Sequence, residues 1–258
     1  MKLSIILPAL AVLLTVSARA GEIKKIKPSA GHAGKAAAKI AVSTRTAGGK
    51  ELHPAEESGG AGLKNAAISG LKEWDSKLET LRTRFSQEVD FFDAGLKQHI
   101  EGVLSYMKPD LLKIEHIKPA RQLVYTDKKE LWVYKPEDSQ AVRTSWAAWK
   151  KNQSGNFSGI MDFGNYAALT EKNNVSVVRN AAAPYYLTMT LTPKNEPGLY
   201  TLELALSSTD YFPAEASLTV DKTVIRTRLE NPEKNAALDK ALFRFVPPKG
   251  TEVLEFKN

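Results

Sequence analysis

The chain has 258 residues, of which 43% are hydrophobic and 25% charged, and it carries a formal net charge of +7. That balance excludes a disordered polymer and an integral membrane protein, which sit at compositional extremes, and leaves length for one large domain or two small ones. Cys is absent, which excludes disulfide scaffolds, thiolate metal centres, Cys nucleophiles and a lipid anchor on an N-terminal Cys.

Residues 1–20 have the layout of a signal peptide. Lys2 is a short positive head, an apolar run extends from Leu3 to Val16, and Ala18-Arg19-Ala20 is a small-x-small cleavage pattern. The run is short of the ~18–20 apolar residues of a spanning helix and contains Pro8. Export is expected, with cleavage after Ala20 and a soluble product in the periplasm. From 21 to 62 the composition shifts: eight of the 16 glycines fall here, with many Ala and Lys and no Phe, Tyr or Trp. Such a stretch buries too little apolar surface to offset its chain entropy, so it reads as a flexible tether, with the folded domain at 63–258. The charge divides with the segments: +2 in 1–20, +4 in 21–65 and +1 in 66–258.

Every aromatic residue lies at or after Trp74. Leu71, Trp74, Leu78, Leu81 and Phe85 recur at spacings of three and four, which predicts an amphipathic helix ending near Arg82. The period then changes to two. Phe85, Val89 and Phe91 alternate with polar residues, and Ile100 to Ser105, Leu111 to Ile117, Gln122 to Thr126, Glu130 to Tyr134 and Gln140 to Thr144 follow as short runs between turn signals. Later runs at Val175–Arg179, Tyr185–Thr192, Leu199–Ser207, Ala214–Val220, Thr223–Glu230 and Ala241–Val246 complete the series. The expected fold is mainly β: a large antiparallel sheet, closed or half-closed into a barrel, preceded by a helix. Between Ser145 and Leu169 the alternation stops. Trp146, Trp149, Phe157, Ile160, Met161, Phe163 and Tyr166 are spaced as in short helices, suited either to cover an open end of the sheet or to plug its core.

Sites for chemistry are not evident. His32 and His53 fall in the tether, and His99 and His116 stand on strands without HxH or HxxxH pairing, so no metal site is expected. The chain has no GxSxG elbow and no Gly-rich phosphate loop, and its carboxylates are scattered. No enzymatic activity and no cofactor are expected. Nucleic-acid binding calls for a basic patch interleaved with exposed aromatics. The folded part is nearly neutral and its aromatics occupy alternating, core-facing positions. The excess apolar surface suits a hollow, lipid-sized cavity.

Four segments, at 243–253, 131–136, Arg84-Phe85-Ser86-Gln87, and Gly102-Val103-Leu104 followed by Lys108-Pro109, resemble motifs of the periplasmic outer-membrane lipoprotein carrier family, the LolA-like proteins. Phe243-Arg244-Phe245-Val246-Pro247-Pro248-Lys249-Gly250-Thr251-Glu252-Val253 is similar to its F-x-F-x-P-P-x-G-x-x-V ending, and Leu131-Trp132-Val133-Tyr134-Lys135-Pro136 to its L-W-x-Y-x-P segment. Phe85-Ser86-Gln87 resembles the early F-x-Q strand, and Gly102-Val103-Leu104 with Lys108-Pro109 resembles the G-x-L strand leading to an Arg-Pro step. The resemblance implies an incomplete, half-open antiparallel barrel with an N-terminal helix and short lid helices over an apolar cavity for lipoprotein acyl chains. It implies a monomeric carrier without catalytic residues, loaded by an inner-membrane lipoprotein-releasing transporter and unloaded at an outer-membrane acceptor. The lack of Cys sets the chain apart from the outer-membrane receptor of the same fold, itself a lipoprotein.

On this resemblance the residues expected to line the cavity are Phe85, Val89, Phe91, Ile100, Leu104, Trp132 and Tyr134 on one parity of their strand, Leu187, Met189, Leu191, Leu202 and Leu204. Trp146, Phe157, Ile160, Met161 and Phe163 belong to the lid. Plain core packing is the alternative for each. Lys108 stands where the family has the Arg that holds the lid closed, and a Lys keeps the charge without the planar multi-donor fork. A lipid sensor acting through a partner, or a carrier of a glycolipid or hopanoid, would use the same scaffold.

Overall fold

The structure is a computed structural model that describes residues 55–151, 163–180 and 185–256. The stretch read as a signal peptide, the stretch read as a tether as far as residue 54, and Phe157, Ile160 and Met161 lie outside them.

The expected helix is α1 (Ala55–Lys77), and it buries Ala67, Leu71 and Trp74. Both of its ends differ from expectation. It starts at Ala55, so 55–62 of the stretch read as tether is helical. It stops at Lys77, and β1 (Thr80–Phe91) already contains Leu81 and Phe85. A spacing of four satisfies the helical period and the strand period alike, so Leu81 and Phe85 extend the helical stripe on paper while alternating on a strand in space.

Eleven further strands follow: β2 (Leu96–Met107), β3 (Leu111–Lys118), β4 (Gln122–Thr126), β5 (Glu130–Lys135), β6 (Gln140–Ser145), β7 (Asn173–Arg179), β8 (Tyr185–Pro193), β9 (Thr201–Ser207), β10 (Pro213–Val220), β11 (Thr223–Lys234) and β12 (Glu252–Phe256). They form one sheet of 12 strands in the order β12-β6-β5-β4-β3-β2-β1-β11-β10-β9-β8-β7. Its terminal strands β12 and β7 do not pair, which leaves the barrel half open. All neighbours are antiparallel except β12 and β6, which run parallel. The central β1 is held along its length, by β2 on one side and β11 on the other.

The short helices are α2 (Trp146–Lys151) and α3 (Tyr166–Lys172). The core lies between the inner face of the sheet and a cover made of α1, Phe163 and α3. Trp74 meets Phe212 edge-on at 5.3 Å, Tyr166 at 6.1 Å and Phe163 at 6.4 Å. Such pairs add to the area they bury.

One expected strand is absent. Where Ala241–Val246 reads as a strand, Lys240–Phe243 is a 3-10 helix whose first turn is fixed by the Asp239 carboxylate accepting from the Ala241 amide at 2.8 Å. Phe243 and Phe245 alternate, but the surface they meet is the outer face of the sheet. Phe245 stacks on Tyr125 at 5.1 Å and lies against Tyr134 and Trp132 at 5.3 and 5.4 Å. The strand that was not expected, β12, lies beyond the Pro-Pro-x-Gly turn and pairs with β6, distant in sequence.

Candidate functional site: the inner face and its cover

Register converts the alternation of single strands into rows that run across half the sheet. Val89, Ile225, Leu218, Leu202, Leu191 and Val175 are successive cross-strand partners from β1 to β7. One rung along, the next row is polar at Gln87 and Thr227 and apolar at Ala216, Leu204, Met189 and Val177. Phe85, Ile100, Leu104 and Leu187 face the same side, and with Val89, Met189, Leu191, Leu202 and Leu204 they are buried in one cluster. Phe91 and Trp146 are half-buried against it, with Trp146 stacked on Trp149 at 4.6 Å. Phe163 is 0% exposed at its centre.

Trp132 and Tyr134 are not part of this surface. In β5 it is Leu131 and Val133 that join the inner cluster, which puts Trp132 and Tyr134 on the outer face under Phe245. The expected parity of this strand is therefore reversed. The cause is the C-terminal segment: by covering the outer face it makes both faces of β5 apolar, and alternation then no longer tells inside from outside.

The cover is fastened by a buried carboxylate. Asp75, near the end of α1, accepts from the backbone amides of Gly164 at 2.6 Å and Tyr166 at 3.1 Å, and so fixes the start of α3 against α1. Beneath it the Tyr106 hydroxyl donates to the Pro109 carbonyl at 3.2 Å. A Cβ on Gly164 would lie 2.8 Å from that hydroxyl, and the residue has φ of +79°, so both space and backbone conformation favour Gly here.

Lys108 lies at the other end of this arrangement. Its ammonium donates to the Ser76 carbonyl and the Glu79 carboxylate, each at 2.9 Å. Those bonds tie the β2–β3 turn to the C-terminal end of α1, where a cation is favoured by the exposed carbonyls.

Among the polar side chains buried on the inner face, three carry atoms without a partner, and sequence reasoning missed their role. Gln87, His116 and Gln122 are each 1% exposed. The Gln87 amide donates to the Thr227 hydroxyl at 2.9 Å, but its Oε1 is unpaired, as are His116 Nδ1 and both amide atoms of Gln122. Burial alone pushes the His116 pKa down to about 4, so at neutral pH the imidazole is uncharged. Parity was the available signal: His116 continues the inward series Leu112, Ile114, and Gln87 lies between Phe85 and Val89.

The family model described as "Outer membrane lipoprotein carrier protein LolA" matches residues 76–246. An outer-membrane lipoprotein carrier protein of Dechloromonas aromatica is 27% identical over 190 residues, which covers 73% of this chain and 87% of the relative. The corresponding protein of Pectobacterium carotovorum is 29% identical over 175 residues, 68% of this chain and 81% of the relative. Among solved structures, a LolA superfamily protein from Nitrosomonas europaea is similar with a TM-score of 0.41 and 14% identity, over 71% of this chain and 98% of that one.

Proposed function

The chain belongs to the outer membrane lipoprotein carrier protein family, and from that premise we propose that it takes lipoprotein acyl chains against its apolar inner face and ferries them across the periplasm. The reading is supported by family membership together with the row of aliphatic side chains that runs from β1 to β7 and the apolar part of the row beside it. An inner-membrane lipoprotein-releasing transporter would load the carrier, and an outer-membrane acceptor would receive the cargo.

The energetics suit a carrier. Burying a C16 chain at ~0.8 kcal/mol per methylene gives a gross gain on the order of 10 kcal/mol. The inner face is already covered by Trp74, Phe163 and Tyr166, so an incoming chain displaces those contacts and keeps only the difference. That offset holds affinity low enough for release without ATP. Lys108 would act on the cover through α1, by holding the helix end to the β2–β3 turn.

Incubating the mature protein with inner-membrane vesicles that hold a triacylated lipoprotein and its releasing transporter tests the proposal. The expected result is a soluble complex of the two proteins, formed only when the lipoprotein is acylated. Lipoprotein that stays in the membrane, or that binds equally well without acyl chains, contradicts it.

A further inference from the structure

The three buried polar side chains are unexpected on a surface meant only for hydrocarbon. A buried polar atom without a partner costs about 1–3 kcal/mol, and natural cores retain few of them. Here three of the four orphaned atoms belong to His116 and Gln122. His116 and Gln122 are direct cross-strand partners on β3 and β4, side by side on the face that also carries Ile114 and Val124. Gly102 is the partner of His116 on its other side and of Phe85 beyond it. A Cβ on Gly102 would lie 2.6 Å from the Phe85 ring, so the ring lies across the glycine and meets the His116 imidazole edge-on at 5.8 Å. Phe85 thus forms an apolar wall beside a polar niche.

The unused capacity is specific in kind. Gln122 has both a donor and an acceptor free, so the assignment of its oxygen and nitrogen does not affect the conclusion. His116 Nδ1 adds one more site, which is donor or acceptor according to tautomer. A cation would find too few ligands, since the pair offers one imidazole nitrogen and one amide oxygen. An ester offers acceptors only and would leave the Gln122 oxygen unpaired. The N–H and C=O of a trans secondary amide point to opposite sides, so its N–H can donate to the Gln122 oxygen while its C=O accepts from His116 Nδ1 in the tautomer that carries the proton there.

We propose that Gln122 and His116 form a hydrogen-bonding niche for a secondary amide that joins an acyl chain to the rest of the cargo. The proposal rests on the acyl-carrier reading above and adds to it a selection for N-acylated over purely ester-linked lipid. The apolar rows take the chain, and the niche fixes its amide end.

Two probes of equal chain length isolate the niche: N-methyldodecanamide and methyl dodecanoate. Their dissociation constants are measured on the mature full-length protein and on the variants Gln122→Leu and Gln122→Met by displacement of an apolar fluorophore. The amide-to-ester affinity ratio should fall about tenfold or more in both variants, because the bound amide loses its partner, with ester affinity unchanged or improved. An unchanged ratio, with both probes binding, overturns the niche and leaves the acyl-carrier reading standing. If neither probe binds the unmodified protein, both readings fail. A measurement on the unmodified protein guards against misfolded variants. The infrared carbonyl band of bound 13C-labelled amide should lie at the lower frequency of a hydrogen-bonded amide, and a band at the position seen in alkane solvent overturns the proposal.

Discussion

Burial strips water from the His116 imidazole and nothing on the inner face replaces it, so protonation is disfavoured and the folded-state pKa falls to about 4 from an ordinary 6.5. Below pH 6.5 the unfolded chain therefore binds the proton more readily, and stability declines as pH falls from 6.5 towards 4. At about 1.4 kcal/mol per pH unit the loss at pH 4.5 is about 2–3 kcal/mol. Urea unfolding at pH 7.5 and 4.5 should show the wild type losing that much more than His116→Phe, and parallel losses would show that the imidazole does not titrate on folding. Gly70 is a second residue whose identity is set by a single contact. A Cβ there would lie 2.3 Å from the Tyr211 ring, whereas one on Gly62 in the same helix meets nothing within 4 Å. Gly70→Ala should destabilise by about 1–3 kcal/mol through overpacking, and Gly62→Ala should stabilise by up to about 1 kcal/mol through helix propensity. Thermal melts of the two variants separate these effects. Neither contact was legible in the sequence, because both depend on which residues long-range pairing brings together.

Elements were easier to read than faces. The short strands from β2 to β11 follow from alternation and turn residues, because that pattern is local. The apolar rows on β1, β8 and β9 were legible for the same reason, since each of these strands has one polar side. What defeats local reading is a segment returning from far along the chain. The stretch containing Phe243 and Phe245 covers the outer face, which gives β5 two apolar faces and hides the outward orientation of Trp132 and Tyr134. β12 escapes notice because it is short and its partner β6 is distant in sequence. The cover depends on another long-range contact, the bonds from Asp75 to the Gly164 and Tyr166 amides. Asp75→Ala would leave those two amides without the carboxylate, at about 2–4 kcal/mol for charge-assisted bonds of this kind. Faster hydrogen exchange confined to residues 163–172 is expected. Exchange that rises equally across β1 and β2 would mean that the carboxylate supports the whole core and not the cover.

At the scale of the whole molecule, the charge that suggests an anionic partner is not on the part that folds into the sheet. Of the net +7, +2 lies in residues 1–20 and +4 in 21–65, which leaves +1 for 66–258. The aromatic residues divide the same way, all of them at or after Trp74. Among the described side chains of α1 the first buried at the core is Ala67, and residues 60–62 are exposed. α1 extends into the stretch read as tether as far as Ala55. We propose that this stretch is a tether whose removal leaves the domain folded. A variant lacking 21–62 loses no aromatic side chain and none of the core residues among those described, so its melting temperature should stay within a few degrees of the full mature chain. Its shorter helix still carries Leu71 and Trp74 onto the inner face, and binding of an apolar fluorophore should persist. A fall of ten degrees or more would place part of 21–62 in the packed structure, and loss of fluorophore binding without a fall would make the stretch part of the site.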